Sequence, residues 1–156
     1  MHSGLTRTPR KRRRNMHTES ERSVPSTSQS VGPHLLSILE LAKSFADDTR
    51  THLSFILSKN KIVSIGQENR EKTHPRAVQL GYRYPTIHSE LDAFNRLSKS
   101  RRSDKLILVN TRVSPTKKLG MSKPCRYCMP WVQTLFEEVW YTNQDGVLVK
   151  HEACRY

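Results

Sequence analysis

Residues 85–99 read PTIHSELDAFNRLSK, and the rest of the chain is best understood outward from this stretch. Its apolar residues recur at helical spacing, at Leu91, Phe94 and Leu97. That spacing predicts an amphipathic helix, with Pro85 at its entrance and Thr86 as a candidate N-cap. His88 and Glu90 are therefore expected in the first turn, two residues apart.

A second stretch, PCRYC at residues 124–128, has the same design. Pro124 precedes Cys125, and Cys128 follows three residues later, so both sulfurs are expected on one face at a helix start. The apolar stripe of this predicted helix continues through Val132, Leu135, Phe136 and Val139. A helix N-terminus carries partial positive charge and lowers the pKa of a thiol. Two helix starts directed at one point would suit thiolates and a metal ion.

The remaining elements alternate between helix and strand. A first helix is predicted over 33–46, with an apolar side of Leu35, Leu36, Leu39, Leu41 and Ala42. Residues 53–57 and 62–65 read as paired strands around a polar turn, and 106–109 as a buried strand. Residues 139–142 and 147–150 flank a short turn that can join only antiparallel strands. This order predicts a layered α/β fold, a central sheet covered by helices.

The two motifs together offer three zinc ligands: His88, Cys125 and Cys128. Three protein ligands leave the fourth tetrahedral position open for water, as in catalytic rather than structural zinc sites. Glu90 is a candidate general acid and base beside that water. A closed structural site, with Cys154 as the fourth ligand, is the alternative at this point.

His88-Ser89-Glu90 followed by Pro124-Cys125-x-x-Cys128 resembles the H-x-E and P-C-x-x-C signature of zinc-dependent nucleobase deaminases. From about residue 34 to 149, the chain is similar to the cytidine and deoxycytidylate deaminase superfamily. The resemblance implies a three-layer, cytidine-deaminase-like α/β fold with a central mixed five-stranded sheet. It also implies one Zn²⁺ per chain with a bound water or hydroxide, and Glu90 as the catalytic proton carrier.

The same resemblance suggests substrate contacts. Asn69, just after the second predicted strand, matches a position where relatives often place an asparagine against the sugar, and Ser89 and Pro124 flank the motif residues. An asparagine in a loop is otherwise commonly a turn residue. Ser89 stands where alanine is usual, and the run Met129-Pro130-Trp131 matches neither of the common continuations. These departures leave the substrate open.

Composition divides the chain into two parts. Residues 1–33 contain the basic run Arg10–Arg14 and a Ser/Thr/Pro-rich stretch, which predicts a disordered tail. Residues 34–156 are expected to form one zinc-dependent deaminase domain. The formal net charge is +13, and from residue 34 onward 20 Lys/Arg still outnumber 12 Asp/Glu. Such a balance suits an anionic nucleotide or a nucleic-acid backbone.

The sequence thus predicts a hydrolase that converts a cytosine-containing nucleoside or nucleotide to its uracil form and releases ammonia. A base deaminase acting on single-stranded DNA, RNA or tRNA is one alternative, and an inactive zinc-binding nucleic-acid interaction protein is another. The short turn at 143–146 favours a small substrate, because the resemblance links an antiparallel last strand pair to free-nucleoside enzymes.

The resemblance implies a homo-oligomer. With no long apolar run, no membrane association is expected. We expect an intracellular, cytoplasmic protein, with nuclear targeting through Arg10–Arg14 as an option.

Overall fold

The computed structural model describes residues 32–152, and its centre is a five-stranded mixed sheet. In chain order the elements are α1 (Pro33–Ser44), β1 (Thr51–Ser58), β2 (Lys61–Gln67), β3 (Asn69–Thr73), α2 (Pro75–Gln79), β4 (Thr86–Ile87), α3 (Ser89–Arg96), β5 (Leu106–Val113), α4 (Met129–Leu135), β6 (Glu138–Thr142) and β7 (Leu148–Lys150). The sheet order is β2-β1-β5-β6-β7, and β3 pairs with β4 in a separate ribbon. The expected α/β fold is confirmed. The predicted disorder of the tail and the alternative role of Cys154 lie outside the described residues.

The two long apolar strands, β1 and β5, form the middle of the sheet. They run antiparallel in unbroken register from Thr51 opposite Val113 to Ser58 opposite Leu106. The β1–β2 connection is a two-residue turn, Lys59-Asn60, in which both residues have positive φ (49° and 62°). Such turns match the natural twist of a hairpin. β6 joins β5 in parallel, which makes the sheet mixed, and β7 returns antiparallel to β6 as predicted.

Side chains on the two faces of the sheet build two separate cores, because successive residues of a strand point to opposite sides. On one face, α1 packs on the side that holds Phe55, Leu57 and Val109. On the other, α2, α3 and α4 cover Ile56 and Leu108. The result is three layers, a sheet between α1 and the other helices.

The observed buried side of α1 differs in part from the predicted one. It ends at Ser44 rather than at residue 46, and its buried residues are Leu35, Ile38, Leu39 and Ala42. Leu36 is 49% exposed. The buried set follows the i, i+3, i+4, i+7 rule, so Ile38 takes the place assigned to Leu36.

The starts of the two motif helices differ from prediction by a few residues. Thr86 is not an N-cap, because it lies in β4 and pairs with β3; His88 itself occupies the N-cap of α3. Cys128 is likewise the N-cap of α4, and Cys125 lies one turn earlier, where its carbonyl accepts a hydrogen bond from the Met129 amide at 2.9 Å. The predicted stripe also ran too far, since Val139 belongs to β6.

Gly66 in β2 allows α3 to lie directly on the sheet. A Cβ built there would fall 2.1 Å from the Ala93 nitrogen and 2.2 Å from the Ser89 carbonyl oxygen. Both neighbours are helix backbone, which cannot rotate out of the way as a side chain can. The height of α3 above β2 is therefore set by the missing side chain.

Among residues 32–152, none of the helices combines the length and the apolar character that crossing a bilayer requires.

Candidate metal centre

His88, Cys125 and Cys128 meet in space although 37 residues separate the first two. Their ligand atoms all lie within 4.8 Å of one another. His88 Nδ1 is 3.7 Å from each of the two Sγ atoms. Zinc bonds of about 2.3 Å to sulfur and 2.0 Å to nitrogen, at tetrahedral angles, give an S–N edge of about 3.5 Å. The donor set and its spacing therefore fit a single small metal ion.

The protonation pattern of these side chains also suits a cation. A hydrogen bond from Cys128 holds the pKa of the Cys125 thiol down to about 4. The same bond, together with burial, raises the pKa of Cys128, so the pair shares one negative charge. The pKa of His88 is raised chiefly by its contact with Cys125. Binding of a metal ion by these side chains would displace their protons.

Tyr82 lies behind Cys128 and its hydroxyl is oriented by Trp131. Trp131 Nε1 is 2.9 Å from the Tyr82 oxygen, and an indole N–H can only donate. The Tyr82 oxygen therefore accepts that bond, and its own proton is left to donate to Cys128 Sγ at 3.0 Å. The buried Cys128 sulfur thus accepts a hydrogen bond from the Tyr82 hydroxyl. The bond with Cys125 and burial raise the pKa of Cys128, and the Tyr82 bond opposes them. The Tyr82 hydroxyl would therefore stabilise the thiolate that forms when a metal ion replaces the Cys128 proton.

Glu90 is held beside the cluster by a buried polar network. It is 6% exposed, and its Oε1 accepts a hydrogen bond from Asn110 Nδ2 at 2.8 Å. Its Oε2 lies 3.6 Å from Cys128 Sγ and 3.5 Å from Ser89 Oγ. Burial raises the pKa of Glu90, so its proton is held more tightly than in water. One oxygen is fixed by Asn110, and the other faces the candidate metal ligand Cys128.

Two serines and the sheet fix Asn110 in turn. Ser54 Oγ donates to Asn110 Oδ1 at 2.7 Å, and Ser54 Oγ is 2.8 Å from Ser89 Oγ. Asn110 Nδ2 also lies 3.3 Å from the backbone carbonyl oxygen of Ser122, and Ser122 Oγ donates to the backbone carbonyl oxygen of Asn110 at 2.8 Å. Every buried side-chain polar atom in the described part of the chain has a partner. The side chain that orients Glu90 therefore has a single well-defined orientation.

A cavity of about 140 Å³ opens at the centre, lined by His52, Glu68, His88, Ser89, Glu90, Lys123 and Cys125. Four of the sequence-predicted site residues, His88, Ser89, Glu90 and Cys125, line it. Cys128 is buried behind it.

Two predicted contacts are not brought to this cavity. Asn69 and Pro124 are absent from its lining. The side-chain oxygen of Asn69, Oδ1, instead accepts hydrogen bonds from the backbone amides of Glu71 and Lys72, at 3.0 and 3.2 Å, as a turn residue would. Its neighbour Glu68 faces the cavity. A contact from Asn69 to a sugar stays a prediction, and it would require the side chain to exchange these local bonds.

Sequence reasoning missed His52, Glu68 and Asn110. His52 and Asn110 were hidden inside apolar strands, where a polar residue is itself a signal, because burial of an amide needs partners. His74 is the N-cap of α2, and its Nδ1 accepts a hydrogen bond from the Arg76 amide at 3.1 Å.

Compared with known proteins, the chain matches no protein-family model, and no curated protein matches it.

Proposed function

We propose that the protein is a zinc-dependent hydrolytic deaminase that acts on a cytosine-containing nucleoside or nucleotide. The observation that carries this proposal is the pairing of a three-ligand set with a buried carboxylate, Glu90 Oε2 lying 3.6 Å from Cys128 Sγ. A structural zinc site has four protein ligands and needs no such carboxylate. Three ligands with a fixed acid and base beside them are what hydrolysis requires.

His88, Cys125 and Cys128 would hold the zinc. When bound, zinc supplies a nucleophile at neutral pH by lowering the pKa of a coordinated water to about 7. Two of these ligands, His88 and Cys125, line the same cavity as Glu90, so the reacting base would lie in this cavity.

Glu90 would carry the protons. Its Oε2 accepts a proton from the attacking water and delivers it to the ring nitrogen as oxygen bonds to the amine-bearing carbon. A second proton from the same water then passes through Oε2 to the exocyclic amine, which leaves as ammonia while the carbonyl forms. The raised pKa of Glu90 suits both tasks, because a general acid and base works best with a pKa near the working pH.

A small substrate is supported by the end of the sheet. β7 pairs antiparallel with β6 through the turn at 143–146, the arrangement that resembles free-nucleoside deaminases. The surplus of Lys and Arg favours a second candidate, a base deaminase on single-stranded DNA or RNA. Both candidates use the same chemistry at Glu90.

The test is ammonia release by zinc-loaded protein from cytidine, deoxycytidine, their monophosphates, adenosine and short oligonucleotides. Glu90→Gln should keep the metal and the fold while turnover falls by about 10²–10⁴-fold, the usual contribution of a general acid and base. Glu71→Gln, a change at an exposed carboxylate on β3, is the matched control and should behave as wild type. Absence of ammonia release from every substrate would favour the inactive interaction-protein alternative. Wild-type turnover in metal-loaded Glu90→Gln would instead overturn the role proposed for Glu90.

A further inference from the structure

A second cavity, of about 350 Å³, lies at the end of the sheet where β1 begins and β5 ends. Its polar lining comes from two arginines and a tight loop: Arg50, Arg112, Ser114, Thr116 and Lys118. Among the described residues, no acidic side chain lines it. Three cationic groups and two hydroxyls are therefore directed at one space.

These cations lack acidic partners in the described part of the chain. The six ion pairs found among residues 32–152 include none of Arg50, Arg112 and Lys118. The pKa of Arg112 is lowered by burial and by the nearby positive charges of Arg50 and Arg70, and these effects outweigh the opposing effect of Glu68. Like charges held close together destabilise the folded state, and a bound anion would relieve that cost.

The loop that completes the cavity is held by its own hydrogen bonds. The Ser114 amide donates to the Lys118 carbonyl at 2.9 Å, and the Lys118 amide donates to Ser114 Oγ at 3.0 Å. Lys117 turns the chain with a φ of 61°, and the Gly120 amide returns to the Arg112 carbonyl at 3.0 Å. The backbone of the loop and the Ser114 hydroxyl are thus fixed beside β5, which lowers the cost of ordering the loop on binding.

The second cavity adjoins the metal centre through a single strand pair. His52 lines the centre, and Arg112 lines the second cavity; the two are direct partners across β1 and β5. Directly opposed residues have Cα atoms about 5 Å apart. The cations also act on His52, since its pKa is lowered first by burial and then by charges that include Arg112, Arg70 and Arg50. One residue of the same cross-strand pair thus lines each cavity, so a substrate whose base lies in the first would direct its phosphate toward the second.

We propose that Arg50, Arg112 and Lys118 bind the phosphate of the substrate, so that the enzyme acts on a phosphorylated nucleotide rather than on a free nucleoside. The proposal rests on the proposed function for the identity of the base. Planar guanidinium groups bind phosphate through paired N–H bonds, and Ser114 and Thr116 would add hydroxyl donors.

The experiment has two readouts on the full, zinc-loaded chain. Binding of inorganic phosphate is followed by phosphorus NMR titration. Values of kcat/KM are measured for cytidine, cytidine 5′-monophosphate and a short cytosine oligonucleotide. The variants are Arg112→Gln and, on the exposed loop, Lys118→Gln. Arg101→Gln, which removes the same charge at the opposite end of β5, is the control.

Each variant should weaken phosphate binding by about 10- to 100-fold, the range expected for a charge-assisted hydrogen bond. The kcat/KM for the phosphorylated substrates should fall by a similar factor, mainly through KM, while cytidine turnover changes less than about twofold. A larger loss with the monophosphate identifies a terminal phosphate as the ligand, and a larger loss with the oligonucleotide identifies an internal one. Either supports the site.

Unchanged phosphate binding in both variants would overturn the proposal, as would an equal loss for cytidine and its monophosphate. If wild-type protein deaminates none of these compounds, the proposed function fails by itself. The phosphate titration would still decide whether the site exists.

Discussion

Asn110 should contribute strongly to stability although it contacts none of the metal ligands. Asn110→Leu keeps nearly the same shape but removes an amide that donates to Glu90 Oε1 and accepts from Ser54 Oγ, at 2.8 and 2.7 Å. Each buried group left without a partner costs about 1–3 kcal/mol. Ser54 retains Ser89 as a neighbour, so we expect a total loss of about 3 kcal/mol. For a domain of this size that corresponds to a Tm about 10 °C lower.

The assay is thermal and urea unfolding of zinc-loaded protein, with Asn110→Asp as the companion variant. Asn110→Asp keeps the acceptor for Ser54 but directs a second carboxylate at Glu90. One of two adjacent carboxyls then has a raised pKa, so its stabilising contribution is present in acid and is lost as the pH rises through that pKa. Its Tm deficit should be smaller at about pH 5 than at about pH 8, whereas the deficit of Asn110→Leu should vary far less. A Tm within about 2 °C of wild type for Asn110→Leu would refute the reasoning about the network.

Other parts of the chain give three further predictions. Cys125→Ala and Cys128→Ala should each lose metal in elemental analysis while Cys154→Ala keeps one zinc per chain; an empty site in Cys154→Ala would favour four-ligand structural zinc. Tyr82→Phe should keep the fold but bind zinc about 10-fold more weakly in a chelator competition, because it removes a donor to the Cys128 sulfur; unchanged affinity would contradict the direction assigned to that hydroxyl. Deletion of residues 1–30 should leave turnover of a small substrate unchanged and reduce the salt dependence of oligonucleotide binding. The slope of log affinity against log salt concentration should fall by about 0.7–0.9 for each phosphate that the tail neutralises. A large fall in turnover would place the tail in the active site.

The sequence predicted the elements whose signals are local. Alternating strands, the turn at 58–60 and the motif residues could be read directly, since a hairpin and a pair of cysteines three residues apart depend on near neighbours. Boundaries decided by distant partners could not be read. Thr86 has the residue type of an N-cap, but pairing with β3 places it in a strand.

The polar surroundings of the site were beyond sequence reasoning for the same physical reason. Ser54 and Asn110 are separated by 56 residues, and their hydrogen bond exists because β1 and β5 are neighbours in the sheet. Asn69 illustrates the limit at short range. In extended backbone a shift of one residue along the chain moves a side chain to the opposite face. The residue that faces the cavity is therefore Glu68 and not its predicted neighbour Asn69.

Because Gly66 has no side chain, β2 sets the position of α3 and of the candidate site residues that α3 carries. α3 carries His88 at its cap and Glu90 in its first turn, while the two cysteines are attached to a different part of the chain, between β5 and α4. A single methyl group at position 66 would force the helix backbone back by more than about 1 Å, since ordinary contact distances are near 3.4 Å. The candidate ligand His88 and the proposed proton carrier Glu90 would move together, away from Cys125 and Cys128. A shift of about 1 Å in reacting groups can cost about 10²-fold in rate. Gly66 therefore keeps His88 and Glu90 in position opposite the two cysteines.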